Sequence, residues 1–195
     1  LTMTDSLYIN TVEPGCGKVV FSLGLLELAL RRTTRVGFFR PVIEAPAHGK
    51  CDEDIDLVLR YFGLPQAYAD SYAWFQHEVL VRLGDHQEDE VIERIIDRYK
   101  QLERQCDFIL IEGTDFLGHV LALEFDLNAL IARNLSAPML VVGNAHGRSP
   151  QESVDAVHIA VDACEEKNCQ VSGVLLNKAD PAQLTALKAA LTEEF

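Results

Sequence analysis

Positive charge is scarce in this 195-residue chain: 17 Lys and Arg stand against 30 Asp and Glu, a formal net charge of −13. A surface so acidic repels a phosphate backbone or an anionic bilayer, which argues against nucleic acid and membrane as partners. No apolar run approaches the ~20 residues that span a bilayer, and no basic region followed by an apolar stretch opens the chain. The reading is a soluble cytoplasmic protein. Cysteine is sparse and unpaired in pattern: Cys16, Cys51, Cys106, Cys164 and Cys169 form no C-x-x-C. Neither a disulfide framework nor a zinc ribbon is indicated, and reduced thiols are expected. The nearest metal-like spacing, His48 with Cys51, lacks the second pair that would complete four ligands. Internal repeats, low-complexity tracts and inter-domain linkers are missing too, so residues 1–195 read as one domain.

What is present is an alternation of short apolar runs with longer stretches of helical period, the pattern of an α/β fold with a parallel sheet and helices on both faces. Leu7 to Asn10, Val36 to Phe39, Phe108 to Ile111, Met139 to Val142 and Val171 to Leu176 are short and apolar on both faces, as buried parallel strands are. Val91, Ile92, Ile95, Ile96, Tyr99 and Leu102 recur at helical spacing with charges opposite. Ser149-Pro150 with Glu152 predicts a capped helix reaching about Lys167, and Asp180-Pro181 predicts a last helix through Leu184, Leu187 and Leu191. Between Ala45 and His86 the pattern loosens; two helices are predicted, around Ile55 to Tyr61 and Tyr72 to Leu83, in what reads as an insertion forming a lid. The aromatic cluster Tyr68, Tyr72, Trp74 and Phe75 then becomes the apolar face of a helix. Thr192, Glu193 and Glu194 place negative charge where a helix end prefers positive, so the chain reads as a piece of a longer protein, with Leu1 and Thr2 ahead of a natural start at Met3.

The chemistry-bearing segment is Glu13-Pro14-Gly15-Cys16-Gly17-Lys18-Val19, between the first strand and an apolar helix from about Lys18 to Arg31. Glycines let a loop wrap with its N–H groups inward, the helix adds its positive end, and a lysine reaches outer phosphates. Against the pattern G-x-x-x-x-G-K-[ST], Gly17 and Lys18 fit, whereas Val12 and Val19 replace the first glycine and the final hydroxyl. That hydroxyl normally ligands Mg²⁺, so hydrolysis is doubtful and Mg-ATP binding is expected to be weak. Restoring it with Val19→Thr is expected to strengthen magnesium-dependent binding. A glycine-rich turn with an exposed lysine is the alternative. Asn177-Lys178-Ala179-Asp180 spells N-K-x-D, but Asp180 is already explained as a helix cap. His146 and Arg148, near the Ser149 helix start, are either an anion site or a solvated loop.

Thr11 to Lys18, Arg35 to Val42, Ile111-Glu112-Gly113-Thr114-Asp115, and Phe125 to Ala132 with Leu135 to Pro138 together resemble the dethiobiotin-synthetase-like N-terminal P-loop domain of long-form bacterial phosphate acetyltransferases. The resemblance implies a P-loop NTPase-like fold over most of the chain, with acetyl transfer between coenzyme A and phosphate performed by a separate C-terminal domain, the implied partner. It implies a regulatory or assembly role in a homo-oligomer; the alternative is an ATP-dependent enzyme like dethiobiotin synthetase. It also implies that Gly15, Cys16, Gly17, Lys18 and Val19 hold ATP or another phosphate-bearing ligand. Arg40 stands where dethiobiotin synthetase has a substrate-contacting lysine; otherwise it is a strand-end charge paired with a neighbouring carboxylate. Asn177 would face adenine. Glu112 and Asp54 would be Mg²⁺ ligands, unless Glu112 only caps the following turn.

Overall fold

A computed structural model describes residues 4–46, 50–114 and 121–195; His48 and Asp115 lie outside these. Among the described residues six strands form one all-parallel sheet: β1 (Asp5–Thr11), β2 (Val36–Ile43), β3 (Tyr72–Phe75), β4 (Phe108–Glu112), β5 (Met139–Asn144) and β6 (Val171–Asn177), in the spatial order β3-β2-β4-β1-β5-β6. The helices are α1 (Lys18–Leu30), α2 (Glu53–Phe62), α3 (Gln76–Gly84), α4 (Glu88–Glu103), α5 (Leu121–Asn134), α6 (Pro150–Glu166) and α7 (Leu184–Glu194). One apolar layer gathers Leu26 of α1 and Ile55 and Val58 of α2 under one sheet face. A larger one gathers residues of α4, α5 and α6 under the other, including Ile95, Ile131 and Val157. The helix-covered parallel sheet predicted from the alternation is therefore the fold.

The topology reverses between β1 and β4. From β1 the chain crosses toward β2, whereas from β4 it crosses over β1 to β5, so the loops after these neighbouring strands diverge and open a crevice at their carboxyl ends. The Glu13 to Lys18 loop lies at that edge, as its strand-loop-helix order requires.

The segment before α4 corrects two expectations. Residues 72–75 are not the start of a helix but the edge strand β3, paired with β2 through Arg40↔Tyr72, Val42↔Trp74 and Ile43↔Phe75. Nor does the described part of residues 45–86 form a separate lid, since α2, β3 and α3 all bury residues in the two core layers. Trp74 is buried, donates Nε1–H to the Val91 carbonyl at 3.0 Å, and lies between the guanidiniums of Arg82 and Arg94, at 4.2 and 4.0 Å from its ring. Such cation–π contacts explain how an indole can sit under charged helices. The aromatic cluster thus seals the sheet edge.

Proline inside a buried strand looks anomalous, yet Pro41 falls where β2 changes partners. Val36 to Phe39 pair with β4, and Arg40 onward pairs with β3. The missing N–H costs little at a handover, because ladder bonds to one neighbour have just ended. It also leaves Arg40 one step past the last β2–β4 pair, Phe39↔Ile111, beside the final residue of β4, Glu112.

Candidate functional site

Gly15 and Gly17 take left-handed backbone angles, φ +76° and +84°, which turn the loop into α1. Gly17 is the N-cap and offers no side chain to the first-turn N–H groups, and no acidic residue stands in that turn. Those donors and the positive helix end therefore face outward toward whatever occupies the crevice. A Cβ on Gly17 would lie 2.7 Å from Nδ2 of Asn177, so a glycine is required here on two counts.

The loop is braced from the β5–β6 side. Asn177 Nδ2 donates to the Cys16 carbonyl at 2.8 Å, Lys178 Nζ to the Gly15 carbonyl at 2.7 Å, and Arg148 pairs with Glu13 at 2.8 Å. The Cys16 thiol is turned inward and donates to the Glu13 carbonyl at 3.0 Å; burial pushes its pKa up. Asn177 therefore serves the loop's conformation, and Arg148 is engaged with Glu13.

On the β2–β4 side charge is buried. α1 turns Lys18, Ser22 and Leu26 toward the sheet at four-residue spacing. Lys18 Nζ donates to the carbonyl of Gly113, and Ser22 Oγ donates to Glu112 Oε2 at 2.5 Å. Arg40 Nε lies 3.2 Å from Glu112 Oε1, while Arg40 Nη1 meets both carboxylate oxygens of Asp52 at 2.6 Å and Asp54 Oδ2 at 3.2 Å. Asp52 caps α2 by accepting from Ile55 N at 3.0 Å and donates its own N–H to Tyr68 Oη at 2.8 Å. Burial raises the Glu112 pKa, with Lys18 and Arg40 pulling it back. For Arg40, burial acts downward but Glu112, Asp52 and Asp54 outweigh it, so its pKa is raised and the guanidinium stays charged.

Behind the loop, Asn128 of α5 ties two strand ends together. It accepts from Tyr8 Oη at 2.6 Å and from Thr114 N at 2.9 Å, and Gly113 lies so close that a Cβ would stand 2.7 Å from Asn128 Oδ1. The adjoining cavity, about 40 Å³ and lined by Asn10, Thr11, Glu13, Thr114, Glu124 and Asn128 among others, is sized for water and not for a nucleotide.

Gly15, Cys16, Gly17, Lys18, Arg40, Glu112, Asp54 and Asn177 thus converge at one crevice, with Val19 half-buried beside them in the first turn of α1. Sequence reasoning missed Ser22, Asp52, Tyr68 and Lys178. Ser22 was readable from its four-residue spacing to Lys18. Asp52 looks in sequence like an ordinary helix cap, and nothing local to Lys178 marks its contact with Gly15. Arg40 is the carboxylate-paired charge of the plainer sequence reading, although it sits within β2 and not at its end.

The Mg²⁺ expectation meets this geometry poorly. Val19 supplies no oxygen, Glu112 Oε2 accepts from Ser22, and the Arg40 guanidinium holds its charge 3.2 Å from both Glu112 Oε1 and Asp54, although Nε and Oε1 make no hydrogen bond with each other. Among the described residues no group of three or more His, Cys, Asp or Glu side chains is placed to hold a metal ion.

Comparison with known proteins agrees with the resemblance read from the motifs. The chain is 42% identical over 193 residues to the phosphate acetyltransferase of Synechocystis sp., covering 99% of this chain and 28% of that protein. It is 39% identical over 177 residues to the phosphate acetyltransferase of Nitratidesulfovibrio vulgaris, covering 91% and 25%. It therefore spans about a quarter of the length of these curated relatives. Two solved structures share the fold: an apo-form GTPase from Pyrococcus abyssi (TM-score 0.53, 12% identity, 97% of this chain and 71% of that one) and a Cyanothece McdA variant in complex with ATP (TM-score 0.53, 13%, 100% and 80%). Among the described residues no helix is long and apolar enough to cross a membrane. With residues 5–194 matching the family described as "AAA domain", and with a phosphate-type loop at the sheet's reversal point, the chain belongs to that family of P-loop domains.

Proposed function

We propose that this domain is a phosphate-binding regulatory and assembly module of a phosphate acetyltransferase, with acetyl transfer from coenzyme A to phosphate carried out elsewhere in the polypeptide. The observation that carries the reading is the loop itself: two left-handed glycines, an uncapped first turn of α1 and a lysine beside it, without the hydroxyl that would seat a metal. Such a cradle supplies backbone donors and a helix end to a phosphate, and lacks the charge-stabilising metal that phosphoryl transfer depends on. The kinship with longer phosphate acetyltransferases supplies the enzyme class, and the shared fold with an ATP-bound structure makes a nucleotide one candidate ligand.

Calorimetry with inorganic phosphate, ATP and Mg-ATP tests the reading. Weak binding of phosphate or ATP, abolished in Lys18→Ala with the fold intact by circular dichroism, is the expected result. The isolated chain should release no coenzyme A from acetyl-CoA and phosphate. Micromolar Mg-ATP binding with turnover to ADP would overturn the regulatory reading in favour of an ATP-dependent enzyme.

A further inference from the structure

A carboxylate cluster at the mouth of a phosphate loop ordinarily implies a divalent cation, which would neutralise the acids and the ligand together. Here the neutralising charge is part of the chain. The Arg40 guanidinium lies within 3.2 Å of three carboxylates, from Asp52, Asp54 and Glu112, and its side chain is 8% exposed. It reaches them because β2 leaves β4 at this residue and the N-terminus of α2 closes over the gap. A guanidinium cannot lose its proton inside a protein, so the compensation is permanent.

We propose that Arg40 is the built-in counter-cation of this site, standing in for a divalent metal ion and restricting the loop to metal-free anions. Two independent features agree. Val19 has removed the hydroxyl ligand from α1, and the carboxylate that would face a metal from β4, Glu112, accepts from Ser22 on one oxygen and has the fixed Arg40 charge 3.2 Å from the other. A metal arriving at these oxygens would have to displace a largely desolvated Arg40–Asp52 pair, in which Nη1 lies 2.6 Å from both carboxylate oxygens, and burial makes such contacts costly to break. Hard cations also need six or more oxygens at 2.0–2.6 Å, a demand that this cluster cannot meet while the guanidinium fills its centre. The sequence expectation for Val19 is sharpened accordingly: Val19→Thr alone recovers little metal dependence, because the second obstacle remains.

Removing the guanidinium should therefore create a metal site. The test is a titration with Mn²⁺ alone, followed by electron paramagnetic resonance, on the unmodified chain, Arg40→Gln and Arg40→Gln/Glu112→Gln; with no phosphate ligand present, the outcome is independent of whether the loop binds one. Arg40→Gln should bind one Mn²⁺ per chain at least tenfold more tightly than the unmodified protein, and the double variant should lose that gain. The melting temperature of Arg40→Gln should rise by several degrees in millimolar Mg²⁺, as expected for a ligand that binds only the native state, while that of the unmodified protein stays fixed. If Arg40→Gln is unfolded in metal-free buffer, refolding on addition of Mn²⁺, read by circular dichroism, is the same positive result. Mn²⁺ binding by the unmodified chain as tight as by Arg40→Gln, or a variant that neither gains Mn²⁺ nor refolds with it while Arg40→Lys folds normally, would overturn the proposal.

Discussion

Strands β2 and β6 belong to one sheet and each sends a polar residue to the same crevice, yet they do so in opposite ways. All eight residues of β2 are buried, Arg40 included, whereas β6 lies at the sheet edge with every residue at least partly exposed. Arg40 therefore acts through desolvated charge, in a network where each member depends on the others. Asn177, closing β6, acts through one local hydrogen bond to backbone, and its neighbour Lys178 through another in full solvent. The loop is held by buried electrostatics on one side and by replaceable surface contacts on the other.

Substitutions across this divide should rank accordingly. Arg40→Leu strips the cation from Glu112 and Asp52 while leaving them enclosed, and should cost about 3–5 kcal/mol in urea unfolding. Gly17→Ala must force a side chain into a left-handed position and against Asn177, and should cost about 1–2 kcal/mol. Asn177→Ala should cost about 1 kcal/mol, the worth of its hydrogen bond. Because Asn177→Ala also frees the space that the new methyl needs, the double variant should be less destabilised than the sum of the two, by a measurable coupling. Strict additivity would mean that Asn177 does not brace Gly17. Lys178→Ala should change stability by less than about 0.5 kcal/mol, as exposed contacts do.

The smallest perturbation is chemical. Burial pushes the Cys106 thiol up to about 11 and the Cys164 thiol up to about 12, whereas Cys51 is exposed. At pH 8 a thiol reagent should modify Cys51 quickly and leave Cys106 and Cys164 untouched in the native protein. Both folded values lie above that of an unfolded thiol, so the stability these groups contribute is complete below about pH 9 and is lost as pH rises toward 11 and 12. Rapid labelling of Cys106 at pH 8 would show that the end of α4 opens far more readily than its packing against β2 suggests.

The same divide governs what could be read from sequence. Strands β1, β2, β4, β5 and β6 are legible because they are predominantly apolar runs set apart from their neighbours by segments of helical period. β3 did not: Tyr72-Ala73-Trp74-Phe75 is four residues that run straight into α3, and over so short a span aromatic spacing fits a helix as well as a strand. The loop was legible because glycines and a lysine between strand and helix carry a local geometry. The charge network was not, since Arg40 meets Glu112 only through the departure of β2 from β4, and Asp52 through the closure of α2. Asn177 is marked in sequence only by its place after the last strand, and its contact with a backbone carbonyl 161 positions earlier is a pairing set by the β1–β5–β6 order alone.

Lys18 rests with its ammonium on the Gly113 carbonyl, buried at the end of β4. A phosphate bound as proposed would have to win that ammonium from an internal acceptor, so its affinity would be the intrinsic one scaled by the fraction of molecules in which the lysine has swung free. On the proposed phosphate-binding reading, a site built this way would trade tightness for range, empty at trace concentrations and filled only when its anion is abundant, the response suited to gauging a metabolite pool and not to capturing a scarce substrate.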